Sequence, residues 1–217
     1  RFKIIMLYLF IFISYLSGSI SGSLLLGKFK NIDIRTMGSG NAGGTNAFRS
    51  IGPMFALGVI FIDIIKGIIA VLYISKLSFL TQINISLDLI SILCGVGAVL
   101  GHVYPIYYNF KGGKGAGTLV GIIGTLFPQS IIYVFISWLI VLIMTGFVGL
   151  GSMVSGLVLV VVTYFYYPDG INSFFGYFSI IMALFIVFTH RSNIVRMFNG
   201  TENQFEKIML FKRFFKN

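Results

Sequence analysis

The sequence has few charged residues, and cysteine, proline and histidine are scarce. Only 10% of its 217 residues are charged, six residues are acidic, and 57% are hydrophobic. A soluble domain of this size could not cover so much apolar surface with polar groups. The mean hydropathy of +0.95 therefore excludes an ordinary soluble domain and indicates an integral membrane protein.

The single cysteine, Cys94, lies in an apolar run. One cysteine cannot form an internal disulfide or a cysteine-based metal site. The six acidic residues are scattered, and only Glu202 and Glu206 are close together in sequence. We therefore expect no metal site and no cofactor.

Seven apolar segments are candidates for membrane-spanning helices, which need about 20 mostly apolar residues. They are 4–27, 51–74, 89–108, 115–127, 130–145, 148–167 and 171–189, with the fourth short and Pro128 marking a break after it. Residues 1–3 and the apolar run behind them resemble a signal peptide. No cleavage site of small residues follows, so we expect the segment to be retained. The sequence predicts a single all-α polytopic membrane domain over 1–217.

Basic residues are distributed unevenly between the two sides that seven spans define. Twelve fall in 28–50, 109–114 and 190–217, and three fall on the opposite side, within a net charge of +10. The positive-inside bias predicts that the loops in 28–50 and 109–114 and the C-terminus are cytoplasmic. The N-terminus would then be outside. Segment 190–217 is predicted to be a basic cytoplasmic tail. Because phenylalanines alternate with its charges, anionic lipid rather than nucleic acid is its expected partner.

Two segments, 38–49 and 110–118, differ from the rest of the chain. Both combine glycine with hydroxyl, amide and basic side chains, and each stands where a hydrophobic segment begins. Glycine permits tight turns, and a helix start offers N–H groups and partial positive charge to an anion. The segments therefore predict a site for phosphate groups. Close helix packing in lipid is the alternative explanation for the glycines, but it does not explain Asn41, Asn46, Arg49, Lys111 and Lys114.

Neither segment matches a nucleotide-binding motif. Gly38-x-Gly40-x-x-Gly43 lacks the preceding strand that a dinucleotide-binding fold needs. Lys114 is followed by Gly115 where a P-loop needs serine or threonine. The prediction is thus a generic anion site.

Polar residues also occur within or at the ends of spans. Asp63 and Lys66 are three apart, a spacing that favours an intramembrane ion pair over a proton relay because no further acidic groups accompany them. His102 ends the third span, where a structural role and a role in orienting the lysine loop both stay open. His190 and Asn193 would share one face of a continuing helix, as reacting groups or as part of a polar stop.

The order of these segments resembles the bacterial acyl-phosphate-dependent glycerol-3-phosphate acyltransferases, the PlsY family. The similar motifs span nearly the whole chain. They are Asp33-Ile34-Arg35 leading into 38–49, Asp63-x-x-Lys66-Gly67, Gly101-His102-x-x-Pro105 leading into 110–115, 190–196, and Gly200-x-Glu202.

The chain departs from the family pattern in a few places. Gly44 stands where the family usually has alanine, and Ser21 where it has proline. Gly149 replaces a frequent serine, so a role is expected only for Ser152 in that region. The His-x4-Asp motif of other acyltransferases is absent from the sequence, as the family implies.

The resemblance implies transfer of an acyl group from acyl phosphate to the 1-hydroxyl of sn-glycerol 3-phosphate. The products would be lysophosphatidic acid and inorganic phosphate, in the first acylation of phospholipid synthesis. The implied partners are these substrates, membrane lipids and the soluble enzyme that makes acyl phosphate. The implied location is the bacterial inner membrane. Acyl phosphate is already activated, so direct attack without an acyl-enzyme is expected.

The resemblance also implies roles for individual residues. The expected catalytic residues are His190, Asn193 and Ser39. The expected substrate-binding residues are Arg49, Lys111, Lys114, Asn41, Thr45, Asn46, Gly112, Gly113, Gly115 and Ser152. Structural roles are expected for Asp63, Lys66, His102 and Glu202.

Two other functions compete with this interpretation. An anion transporter would surround a phosphate site with broken helices, but no inverted repeat is visible in the sequence. A noncatalytic lipid-binding protein would not need three polar motifs in this order. We therefore expect an enzyme.

Overall fold

Helices form all the regular structure in the part of the chain that the computed structural model describes, residues 2–81 and 84–210. This agrees with the predicted all-α class. The chain divides into two compact units, Arg1–Pro128 and Gln129–Asn217. The single domain over 1–217 stays a prediction, and the tail residues after 210 lie outside the described residues.

Six α-helices lie in the described residues of the first unit, 2–81 and 84–128. They are α1 (Phe2–Gly18), α2 (Gly22–Phe29), α3 (Gly44–Ser50), α4 (Pro53–Ile69), α5 (Leu87–Val103) and α6 (Ala116–Leu126). The helical path of α4 continues through a wider turn at Ala70–Ile74 and a tighter one at Ser75–Thr81. Pro53 stands in the first turn of α4, where its missing N–H has no intrahelical partner to lose.

Helices α1 and α5 pack backbone to backbone. A Cβ on Gly97 would lie 2.7 Å from the carbonyl oxygen of Ile11, and one on Gly18 or Gly101 would overlap the facing main chain. Glycine is therefore required for this approach, which is how helices gain packing contacts where the solvent is lipid.

The first apolar segment is broken, although the sequence predicts one span over 4–27. Helix α1 ends at Gly18, and α2 begins at Gly22 with a 46° change of direction. The freed main-chain groups bind charged side chains of the first unit. The Ile20 carbonyl accepts from Lys66 Nζ at 2.9 Å, and the Gly22 N–H donates to Asp63 Oδ1 at 3.3 Å. These bonds satisfy two of the main-chain polar groups that the break leaves without helical partners.

In the second unit, residues 129–210 form four α-helices. They are α7 (Ser130–Thr145), α8 (Val148–Tyr166), α9 (Phe174–Thr189) and α10 (Arg191–Phe198). Gly146, with a φ of 74°, lies between α7 and α8. Ser155 of α8 donates to the Val134 carbonyl of α7 at 2.9 Å. Helix α9 starts three residues later than the predicted 171, because a short turn at Gly170–Asn172 precedes it.

Three helical segments of the described residues are long and apolar enough to cross a membrane: Pro53–Phe79, Leu87–Tyr108 and Val148–Tyr166. The count rises to five if the bent pairs α1–α2 and α9–α10 each form one span. Helices α6 and α7 are apolar but shorter. At 1.5 Å per residue, α6 is about 17 Å long, well below the roughly 30 Å of a hydrocarbon core. The seven spans and the orientation stay predictions.

Candidate functional site

The first glycine-rich segment is shaped by one buried amide. Asn46 is 2% exposed, and its Nδ2 donates to the carbonyls of Ile34 and Met37 at 3.1 and 2.9 Å. Its Oδ1 accepts from the Ser39 N–H at 2.9 Å. The contacts give Asn46 a loop-shaping role, and its predicted contact with substrate stays a prediction.

Ser39 stands at the tip of this loop between two left-handed glycines. Gly38 and Gly40 have φ values of 55° and 72°, a region that glycine enters without strain. The backbone thus turns sharply on both sides of Ser39, which is half-buried. Asn41 and Thr45 follow as half-buried residues, and Thr45 lies in α3.

An ion pair precedes this loop. Asp33 Oδ2 accepts from Nη2 of Arg35 at 2.7 Å, and Oδ1 accepts from Nε at 3.0 Å. This hydrogen-bonded guanidinium lowers the pKa of the Asp33 carboxyl from its usual 3.8, and the carboxylate raises the pKa of Arg35. A third nitrogen, Nη1, donates to the Tyr108 carbonyl at 3.1 Å. Arg35 thereby joins the segment before the first loop to the turn before the second.

The second glycine-rich segment rests on the end of α5. The N–H groups of Gly112 and Gly113 donate to the carbonyls of Val103 and His102 at 3.2 and 3.1 Å. A Cβ on Gly112 would overlap the His102 carbonyl, and a Cβ on Gly113 would overlap the His102 ring. Both positions therefore require glycine. Gly115, with a φ of 91°, then leads into α6.

The two glycine-rich segments meet in the first unit. A Cβ placed on Gly113 would lie 2.9 Å from the Ala42 carbonyl oxygen. Ala42 belongs to an apolar cluster with Ile34, against which Tyr108 packs. The basic residues differ in exposure, since Lys111 is exposed whereas Lys114 and Arg49 are half-buried. The structure thus brings the main chains of the two segments together at Gly113 and Ala42. The meeting of their hydroxyl, amide and basic side chains at one site stays a prediction.

A buried polar cluster lies beneath the second segment. Lys66 Nζ donates to Asp63 Oδ1 at 3.0 Å, to His102 Nδ1 at 2.8 Å and to the Ile20 carbonyl at 2.9 Å. His102 Nδ1 also lies 3.4 Å from Asp63 Oδ1. With Lys66 protonated, the closer ammonium only donates, so Nδ1 accepts from it and the ring proton is on Nε2. Because all three ammonium protons are used, the charge is compatible with side chains that are only 3–4% exposed.

In the second unit, His190 occupies the bend between α9 and α10. The two helices differ in direction by 51°. The sequence pattern assumes one continuing helix here, and the structure has a bend instead. His190 Nδ1 lies 2.8 Å from the Ile186 carbonyl. A carbonyl oxygen only accepts, so Nδ1 donates, and in the neutral ring the basic nitrogen is Nε2.

Glu202 binds two side chains of α10. Its Oε1 accepts from Asn193 Nδ2 at 2.7 Å, and its Oε2 accepts from Arg196 Nε at 2.6 Å. The Glu202 side chain is 4% exposed, and Asn193 is buried against Gly149 of α8. A side chain at position 149 would therefore displace Asn193. The glycine that this chain has in place of the family's frequent serine leaves room for Asn193. Ser152 is half-buried, and its hydroxyl donates to the Val148 carbonyl at 3.1 Å.

Sequence reasoning missed two contacts of this site. The bond from Arg35 to Tyr108 has no signal beyond the Asp33-x-Arg35 spacing. The Ile20 carbonyl that binds Lys66 is a main-chain group, which no side-chain pattern reveals. Within residues 2–81 and 84–210, no group of three or more His, Cys, Asp or Glu side chains could hold a metal ion.

These apolar helices with a buried ion pair define an all-helical integral membrane protein. Residues 8–200 match the family model described as glycerol-3-phosphate acyltransferase. The glycerol-3-phosphate acyltransferase of Bacillus subtilis (strain 168) is 40% identical over 195 residues, covering 89% of this chain and 95% of the relative. The chain therefore belongs to the PlsY family of glycerol-3-phosphate acyltransferases.

Two solved structures of PlsY (YgiH), an integral membrane glycerol 3-phosphate acyltransferase, are similar to this fold. The glycerol 3-phosphate form has a TM-score of 0.79 and 29% identity, covering 92% of this chain and 95% of that chain. The lysophosphatidic acid form has a TM-score of 0.76 and 31% identity over the same shares. The likeness covers both compact units of the chain.

Proposed function

We propose that this protein transfers an acyl group from acyl phosphate to the 1-hydroxyl of sn-glycerol 3-phosphate. The products are lysophosphatidic acid, which stays in the membrane, and inorganic phosphate. Family membership supports the acceptor, and the lysophosphatidic acid form of a similar structure supports the product. The donor and the release of phosphate belong to the proposal.

The observation that carries the proposal is the meeting of the two glycine-rich segments. Both substrates are anions, so they repel each other until fixed cations and N–H donors offset their charge. Arg49 and the two lysines, Lys111 and Lys114, supply the charge near turned main chain. Arg49 and one lysine bind the glycerol phosphate. Ser39, Asn41 and the main chain of 112–115 bind the acyl phosphate.

The chemical step is a direct displacement. The acceptor hydroxyl oxygen attacks the carbonyl carbon of acyl phosphate, the new ester C–O bond forms, and the bond from that carbon to the phosphate oxygen breaks. Phosphate leaves with the electron pair. Proximity supplies about 7–11 kcal/mol of barrier reduction in well-oriented reactions of this kind. Oriented donors stabilise the charge that develops on the carbonyl oxygen.

The hydroxyl proton leaves either on the departing phosphate or on Nε2 of His190, the basic nitrogen of its neutral ring. A His190→Ala variant separates these routes. A loss of only a few fold in kcat would assign the base to the phosphate. A loss of about 100-fold or more would assign it to His190, since general acid–base groups contribute 10²–10⁴-fold.

The direct test measures phosphate release by purified protein given palmitoyl phosphate and glycerol 3-phosphate. The proposal expects release that requires both substrates, yields lysophosphatidic acid and is lost in Arg49→Ala. The matched control is Lys28→Ala, which removes an exposed positive charge of the same unit and should leave the rate unchanged. Absence of release by folded protein, with phosphate flux across vesicles instead, would identify a transporter and overturn the proposal.

The donor and the direct route are tested with the same protein. Palmitoyl-CoA and palmitoyl acyl carrier protein should not replace palmitoyl phosphate, and EDTA should not lower the rate. Radiolabelled palmitoyl phosphate without acceptor should leave no label on the denatured protein. Retained label would show an acyl-enzyme and contradict direct attack.

A further inference from the structure

Two donors meet at the main-chain carbonyl of Tyr108. It accepts from Arg35 Nη1 at 3.1 Å and from the N–H of Lys111 at 3.2 Å. One carbonyl oxygen has two acceptor positions, and these two donors can fill both. The Tyr108 carbonyl therefore binds both the backbone of Lys111 and the guanidinium of Arg35.

The turn between Tyr108 and Lys111 has an uncommon conformation. Asn109 and Phe110 have φ values of 55° and 58°. Two successive non-glycine residues in the left-handed region persist only where surrounding contacts hold them. The contacts here include the N–H groups of Tyr108 and Phe110, which donate to the Pro105 carbonyl at 3.1 and 2.9 Å, and the guanidinium at the Tyr108 carbonyl.

Arg35 reaches this carbonyl in a fixed direction. The Asp33 carboxylate accepts from both Nε and Nη2, which leaves Nη1 directed at Tyr108. Ile34, between the two charged residues, is fully buried and belongs to the cluster on which Tyr108 packs. The pair is thus anchored by its own backbone, unlike an isolated surface ion pair, which contributes little.

We propose that Arg35 is a positioning residue that holds Lys111, through the Tyr108 carbonyl, in place for a substrate phosphate. The inference rests on the proposed function of Lys111. Arg35 contacts no substrate and acts only through the direction of its hydrogen bonds. A positive charge at this position is therefore not enough to hold Lys111 in place. Lysine in its place keeps the charge but loses the planar fork that binds Asp33 and Tyr108 together.

A double-mutant cycle tests this inference with kcat/KM for glycerol 3-phosphate. Arg35→Lys should lower kcat/KM about tenfold in the wild-type background, within the range of coupling between contacting residues. The same change should have less than about a twofold effect in a Lys111→Ala background. The control is Lys28→Ala combined with Arg35→Lys, where the two effects should multiply.

Each outcome separates this inference from the function on which it rests. Equal effects of Arg35→Lys in the two backgrounds, or no effect in the wild type, would overturn it while the enzyme remains an acyltransferase. Full activity of Lys111→Ala would instead remove Lys111 from the proposed site, and the inference with it. Rates are taken per folded protein from detergent size-exclusion profiles. If Arg35→Lys does not fold, Asp33→Asn, which releases the fork, enters the same cycle with the same expected coupling.

Discussion

The two glycine-rich segments reach their shapes by opposite means. In the first, the Asn46 side chain holds the loop by three hydrogen bonds to its main chain. In the second, Gly112 and Gly113 have no side chains, and the main chain rests directly on the end of α5. One loop depends on a group that is present, the other on groups that are absent.

This difference predicts different consequences of mutation. Losing the amide leaves polar groups without partners, which lowers stability. Adding a methyl group to a glycine displaces the loop, which lowers activity more than stability. The second loop also depends on a buried charge beneath it, because His102 is bound by Lys66. Four variants would break or sharpen this comparison.

Lys66→Met should have the largest effect. It leaves the Asp63 carboxylate buried without its cation, a loss of about 3–5 kcal/mol in the free energy of unfolding. Unfolding in micelles measures the loss, and hydrogen exchange should accelerate at Gly112 and Gly113 more than at Ser39. The control, Lys76→Met, changes an exposed lysine of the same unit. Wild-type stability of Lys66→Met would contradict the prediction.

Gly113→Ala should have the second largest effect, on the rate of the reaction. Its methyl group would overlap the His102 ring and approach the Ala42 carbonyl, so the loop must shift. A displacement of about 1 Å at a binding group can cost about 100-fold in rate, which phosphate release measures. The control is Gly156→Ala, whose added Cβ would lie 3.4 Å from Ala183, an ordinary van der Waals contact. Comparable activity of the two variants would show that the second loop tolerates a side chain.

Asn46→Ala should lower stability before it affects chemistry. It leaves the Ile34 and Met37 carbonyls and the Ser39 N–H without their partner. An unsatisfied buried group costs about 1–3 kcal/mol. Of the three bonds only the one to Ile34 is fully buried, so the expected loss in the free energy of unfolding is about 2 kcal/mol. Asn199→Ala, at an exposed amide, is the control. Wild-type stability with lost activity would instead favour substrate contact by Asn46.

Asp33→Asn should have the smallest effect, and that effect should depend on pH. Arg35 lowers the folded pKa of Asp33 below 3.8, so the stabilisation is present above that value and is lost as the pH falls through the lowered pKa. The difference in thermal midpoint from wild type should be constant between about pH 5 and 8 and vanish in stronger acid. Asp169→Asn, at another exposed aspartate, is the control. A difference that persists in acid would contradict the ion pair as its cause.

Much of the fold is readable from the sequence because lipid imposes a simple pattern. The apolar segments at 51–74, 89–108 and 148–167 correspond to helical segments long enough to cross a membrane. The break after Gly18 is not readable, since the side chains that satisfy its main-chain groups, Asp63 and Lys66, lie 41 and 46 residues further along the chain. The bend at His190 is missed for a related reason, because the pattern of residues 171–196 fits a straight helix equally well.

For the site, residue type identified the two glycine-rich segments but not how they are supported. Asparagine is expected at turns and at ligands alike, and only its three contacts assign Asn46 to the loop. For Arg35, the sequence predicted no role. It was part of the motif but had no role until the structure brought it to Tyr108, 73 residues away.

The close contact between α1 and α5 has a consequence for biosynthesis. Gly18 emerges from the ribosome about 80 residues before Gly101, which at about 5–20 residues per second is roughly 4–16 s. During that interval the glycine face of α1 has no partner helix and must be covered by lipid or by the insertion machinery. A bulky residue at Gly101 would thus act on the nascent chain, where it would appear as failed assembly and degradation.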